Sequence, residues 1–129
     1  MKLKEKVALI TGSSRGVGRA IAFAYAKEGA SVVVNYTSNK EAGEEVVAAI
    51  REKGGRAILF KADVAKAAEA EALVQKGIEE FGRLDILVNN AGFSRPAMLL
   101  KMSEDQWDQV LDIHLKGAFL CTQFAARHM

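Results

Sequence analysis

Residues 8–18, ALITGSSRGVG, place glycines at 12, 16 and 18 and an arginine at 15 in one turn that follows an apolar run. Such a turn suits a large anion. Gly12 permits a sharp exit from a strand, Gly16 lets backbone approach a pyrophosphate with no Cβ in the way, and Gly18 lets a helix pack close to a sheet. A diphosphate then meets a helix N-terminus, where free N–H groups and the macrodipole favour negative charge. A glycine-rich turn with no ligand is the bland alternative. The setting, between an apolar run and a helical pattern within a unit of about 30 residues, favours a dinucleotide. No Gly-Lys-Ser/Thr follows, which disfavours a Walker-type phosphate loop.

The next chemistry-bearing stretch is VNYTSN, at the end of the second apolar run. A site for NAD wants a carboxylate there, to accept from the ribose 2′-hydroxyl. Asn35, Tyr36, Thr37 and Ser38 offer none. A carboxylate would repel a 2′-phosphate, so its absence permits NADP(H), and Arg15 supplies a cation for that phosphate. Arg15 as a merely solvated surface residue is the competing reading. Further on, Asn89 and Asn90 follow the apolar run ILV and place polar groups at a strand's carboxyl end. Plain capping of a turn would account for them too.

These residues need a scaffold, and the pattern supplies one. The run Val7–Ile10 reads as a strand, and Gly16–Glu28 as a helix with Ile21, Ala22 and Tyr25 at helical spacing, stopped by Gly29. Ser31–Tyr36 is the second strand. Ser38 and Glu41 read as a capping box for a helix to about Lys53, ended by Gly54 and Gly55. Ala57–Phe60 is a third strand, a helix runs from about Lys66 to Phe81, and Leu84–Val88 is a fourth strand. Ser103 and Gln106 cap a last helix. Strands apolar on both faces, alternating with helices, give an α/β, Rossmann-like doubly wound parallel sheet with helices on both faces. Right-handed crossovers place its strands in the order 3-2-1-4.

Composition sets the outer limits. The chain has 129 residues, half of them apolar and about a quarter charged, enough for a core and a soluble surface. A net charge of +2 is too small for a nucleic-acid footprint. The apolar runs VALI and ILV fall far short of a membrane span. MKLKEK carries no cleavage pattern, and Cys121 is alone, so no disulfide or cysteine-based metal cluster is available and a cytoplasmic location is expected.

The glycine spacing here is T-G-x-x-x-G-x-G, Thr11 to Gly18, and it occurs with Asp63-Val64 and with N-N-A-G at Asn89–Gly92. Together these resemble the short-chain dehydrogenase/reductase family, nearest to its bacterial 3-oxoacyl-(acyl-carrier-protein) reductases on the strength of TGSSRGVG, VVVNYTSN and LVNNAG. The resemblance runs from Lys4 to Met129. It implies that Gly12, Ser14, Arg15, Gly16, Val17 and Gly18 line the cofactor phosphates and ribose, with Asn35, Tyr36 and Thr37 at the adenosine side. It also implies that Asp63 and Val64 contact the adenine, the Asp63 carboxylate accepting from its amino group. Asn90, Ala91 and Gly92 would flank the ribose and stabilise the sheet centre.

Two departures qualify the likeness. His114, in IHLKG, stands where the family has an asparagine of its proton relay. A histidine both donates and accepts, so it either serves that relay or is a helix residue satisfied locally. The family's catalytic serine and Y-x-x-x-K are not among these residues; Tyr36 and Lys40 match the spacing by accident, at strand 2. Without that tyrosine no group donates a proton to a carbonyl. The expectation is therefore a single partial dinucleotide-binding domain, 1–129, from an NADP-dependent ketone reductase, itself inactive. The alternatives are a non-catalytic nucleotide-binding or assembly module, or one half of a split enzyme. Trp107, Val110, Leu111, Leu115, Phe119 and Leu120 recur at helical steps, and strand 4 lacks an outer neighbour. A homo-oligomer through that edge or the last helix is expected, with no membrane or nucleic-acid partner.

Overall fold

The computed structural model describes residues 1–129 and holds a single parallel sheet. Its elements are β1 (Val7–Ile10), α1 (Gly16–Lys27), β2 (Ser31–Tyr36), α2 (Lys40–Glu52), β3 (Ala57–Lys61), α3 (Ala67–Phe81), β4 (Ile86–Val88), α4 (Glu104–Leu111) and α5 (Gly117–Ala126). A short 3-10 turn, Leu99–Lys101, precedes α4, and a π-helical turn, Asp112–Lys116, joins α4 to α5. The strand order is β3-β2-β1-β4, every pair parallel, as the alternation predicts.

The valines of β2 show why the sheet is buried on both sides. Val33 joins Val7 and Leu9 against α3 and α5, in a cluster with Leu73, Val74, Leu120 and Cys121. Val32 and Val34 face the other way, with Ile10, onto Ala22 of α1 and Val46, Val47 and Ile50 of α2. Alternate side chains thus feed two cores, and each fully buried valine contributes roughly 1.5–3 kcal/mol. Cys121 is a packing residue of the first core; burial pushes its thiol up to about 11, so it is uncharged at neutral pH. No helix is long and apolar enough to cross a membrane.

The amino ends of β1 and β4 are tied by Asp85. Its carboxylate accepts from the Val7 N–H at 2.8 Å and from Arg83 at 2.6 and 2.9 Å. The Arg83 guanidinium holds the Asp85 carboxyl below the usual range, the Val7 N–H adding to this and partial burial opposing it.

Local differences from the sequence reading have physical causes. α2 is capped by Asn39, whose side chain accepts from Ala42 N–H, and not by a Ser38–Glu41 box. Asparagine and serine are near-equal N-caps, so neighbouring candidates compete and one residue of register decides. At α4 the Ser103–Gln106 capping box does form. β4 is shorter than Leu84–Val88, because Leu84 and Asp85 lead into it without joining the ladder as strand. The last helix is two helices joined by a π turn, which a 3.6-residue apolar period does not report.

Candidate active site

The carboxyl ends of β1, β2 and β4 meet around the first turn, and a cleft of about 470 Å³ opens there. Its shape begins with Gly12 and Gly16, which adopt φ +62° and +58°, the left-handed region open to glycine at little cost. Gly18 serves packing: a Cβ there would collide with the Gly12 carbonyl and the Asn90 amide. α1 is consequently pressed against the sheet with its N-terminus facing the cleft.

That N-terminus is uncapped. Arg15 occupies the N-cap position with no side-chain cap, and no acid stands in the first turn. The first N–H groups of a helix lack intrahelical partners, so those of α1 remain available to an anion. Arg15, exposed at the rim, adds a full positive charge. Tyr36, Thr37, Ser38 and Asn39 form the opposite lip and contain no carboxylate. Asp63, at the end of β3, brings the acid to this lining; its Oδ1 accepts from Ala65 N–H at 3.0 Å.

A buried polar network holds the turn in place. The Thr11 hydroxyl oxygen accepts from the Asn90 and Ala91 N–H groups, both at 2.9 Å, and so fastens β1 to the segment after β4. The Asn90 amide donates to the carbonyls of Thr11 and Gly12, both at 3.1 Å. Ser13 donates to Ile10 O at 2.7 Å and accepts from Asn35 N–H at 3.0 Å. Every buried side-chain polar atom has a partner, as a rigid site requires.

Of the residues singled out from sequence, Gly12, Ser14, Arg15, Gly16, Val17, Tyr36, Thr37, Asp63, Asn90, Ala91 and Gly92 all line this cleft. Three do not. Asn35, read as a cofactor contact, is buried: its Oδ1 accepts from Gly12 N–H at 2.9 Å and its Nδ2 donates to Ala62 O at 3.1 Å and Phe60 O at 3.3 Å. It ties the turn to β3 from below. Val64 is core, packed with the α3–α5 cluster, and Gly18 lies under the helix start. Thr11 and Ser13 were part of the sequence motif without an assigned role; their signal was a polar pair directly after an apolar strand.

His114 sits in the π turn, with Nε2 2.9 Å from the Phe93 carbonyl oxygen. Its ring lies over Gly92, where any Cβ would strike it. The imidazole therefore clamps the strap that carries Asn90, Ala91 and Gly92 along the cleft. Tyr36 and Lys40 form no working pair: Lys40 opens α2 and lies 3.8 Å from Glu44.

This architecture recurs in known proteins. The short chain dehydrogenase family model matches residues 6–129. A 3-oxoacyl-(acyl-carrier-protein) reductase of Staphylococcus aureus is 48% identical over 124 residues, covering 96% of this chain and 50% of that protein. A Synechocystis protein of the same name is 46% identical over 127 residues, covering 98% of this chain and 51% of its own length. Among solved structures, a Burkholderia cenocepacia short chain dehydrogenase in complex with NADP superposes with a TM-score of 0.98 at 41% identity, covering 100% of this chain and 53% of that one. A blue fluorescent protein from a metagenomic library, in complex with NADPH, gives 0.96 at 34% identity, with coverage of 100% and 53%. The chain spans about half the length of the relatives it matches. With the family model matching residues 6–129 and the whole 3-2-1-4 sheet superposing on a solved member, the chain belongs to the short-chain dehydrogenase family.

Proposed function

We propose that these residues are the NADP(H)-binding part of a reductase that converts a ketone to an alcohol, with a 3-oxoacyl thioester as the substrate class. One observation carries the cofactor reading: an uncapped helix N-terminus, with Arg15 beside it, faces a lip free of carboxylates. The open N–H groups fit a diphosphate, and the acid-free lip beside Arg15 fits a 2′-phosphate. The structural relative complexed with NADP supports the same choice, and the 3-oxoacyl reductases support the substrate class.

When bound, the cofactor would supply hydride to the substrate carbonyl. The chain's own residues bind and orient it. Gly12 to Val17 hold the phosphates, Arg15 and Thr37 take the ribose phosphate, and Asp63 accepts from the adenine amino group. Asn90, Ala91 and Gly92 form the far wall, set in place by Thr11 from one side and His114 from the other. His114 thereby acts as a positioning residue. These 129 residues contain no tyrosine–lysine pair suited to protonate a carbonyl, so the proton donor belongs to polypeptide outside them.

Titration with NADPH and NADH tests the assignment. NADPH is expected to bind at least about 10-fold more tightly, the minimum effect of one charge-assisted phosphate contact. Equal affinity, or none for either, would overturn it. The 129 residues alone should not reduce an acetoacetyl thioester, and turnover at ordinary reductase rates would remove the claim that the proton donor lies elsewhere.

A specific observation also favours an assembling protein. Trp107, Leu115 and Phe119 are exposed along α4, the π turn and α5, and Leu99 and Leu100 are exposed in the preceding 3-10 turn. Apolar surface of that extent favours burial against a second copy. Light scattering showing a monomer at micromolar concentration would sink this part of the reading.

A further inference from the structure

A second cavity lies at the other end of the sheet from the cleft. It encloses about 730 Å³ where the C-terminal ends of α1 and α2 diverge above the starts of β2 and β3. Phe23 and Ala26 of α1 and Ala49 and Ile50 of α2 give it an apolar floor. Lys4, Lys27, Lys53 and Arg56 stand around it, and no carboxylate lines it.

Lys4, Lys27 and Lys53 are in no ion pair. The ion pairs of the structure are Lys40–Glu44, Lys66–Glu69, Lys76–Glu80 and Arg83–Asp85, and none uses them. Glu28, the nearest acid in sequence to Lys27, accepts from the Lys2 N–H at 3.0 Å. The Arg56 guanidinium is turned to the α3 face, stacked over Phe81 at 4.9 Å from the ring centroid, which leaves the three lysines as the charged rim. The carbonyl ends of α1 and α2 carry about −0.5 of a charge each, which three full positive charges exceed. The entrance is roomy: a Cβ at Gly54 would meet no atom within 4 Å.

We propose that this cavity is a second ligand site, for a small amphipathic organic anion whose apolar body rests on the Phe23–Ile50 floor and whose carboxylate meets the lysine rim. Its volume lies in the range of small-molecule sites, and an apolar interior with a few convergent charges is how such sites are built. The site is separate from the phosphate turn, so its occupancy is independent of the cofactor.

Titration of the isotope-labelled protein with 2-naphthoate, followed by amide chemical shifts, tests the idea. Saturable shifts are expected at Gly29, Gly54 and Gly55, with a Kd of roughly 1 mM or tighter. They should persist with saturating NADPH and weaken as salt is added. Ala49→Trp, which fills the floor, should abolish them. Lys27→Glu with Lys53→Glu, both at exposed positions, should weaken binding at least about 10-fold, and uncharged 2-naphthamide should bind correspondingly less well. No saturation, shifts confined to Gly12–Gly18, equal binding of the amide, or parental affinity in the double variant would each overturn the proposal. The double variant decides the matter if Ala49→Trp fails to fold.

Discussion

α1 and α4 begin in opposite ways. At α4 the Ser103 hydroxyl accepts from Gln106 N–H at 3.1 Å, and the Gln106 side chain accepts in turn from Ser103 N–H at 2.9 Å. Acids at 104 and 105 complement the dipole. α1 has neither device: Arg15 stands at its cap, and the first turn is glycine, valine and glycine, with no acid in it. α3 also starts without a side-chain cap, at Lys66, but has Glu69 in its first turn; α1 has neither cap nor acid, which leaves its N–H groups and dipole open to an anion. The contrast within one chain separates a helix start built for stability from one built for a ligand.

Changes at the two helix starts should therefore have different consequences. The largest effect is expected from Gly18→Val, because the branched side chain would be driven into the Gly12 carbonyl and the Asn90 amide. A loss of about 3 kcal/mol in urea unfolding, together with loss of NADPH binding, is the expected outcome. Arg15→Ala should leave stability unchanged and cost about 1.5–3 kcal/mol of NADPH affinity with little change for NADH, read by titration of both. Val17→Asp sharpens the contrast further. Val17 is exposed in the first turn, so a carboxylate there should stabilise the helix by about 0.3–1 kcal/mol while weakening NADPH roughly 10-fold. If both quantities moved the same way, the claim that this end is kept open for an anion would fail. Ser103→Ala at α4 should cost about 1 kcal/mol and leave cofactor affinity untouched.

The smallest effect concerns pH. Asp85 has its carboxyl pKa lowered in the fold, chiefly by Arg83. Its contribution is present above the unfolded value near 3.9 and disappears as pH falls through the lower folded value. Arg83 is half exposed, which limits that contribution to about 1 kcal/mol. Asp85→Asn should therefore lower the urea midpoint at pH 6 and converge with the parent below about pH 4.

How much of this was readable beforehand depended on whether one residue or a neighbourhood made the decision. The β1 turn, the valine strand β2 and the Ser103–Gln106 box are local patterns, and they were legible. Asn35 was legible as a polar residue at a strand end but not as a buried one. Its burial depends on β3 bringing the Phe60 and Ala62 carbonyls alongside, a long-range fact. The Asn39 cap turned on a single residue of register. The π turn that lowers His114 onto Gly92 leaves no mark in an apolar period, since one extra residue in a helical turn changes direction without changing composition.

The hydroxyl of Thr11 has a mechanical consequence. One oxygen receives two amides from the segment beyond β4, while the Thr11 main chain is itself bonded to Val88 at 3.0 Å. Sliding β4 along β1 would break these links together instead of one at a time. The width of the cleft is thus geared to the register of the sheet, and the two walls are joined as one bracket. A cofactor entering such a bracket finds these two walls already set relative to each other, which lowers the ordering cost on this side of the cleft.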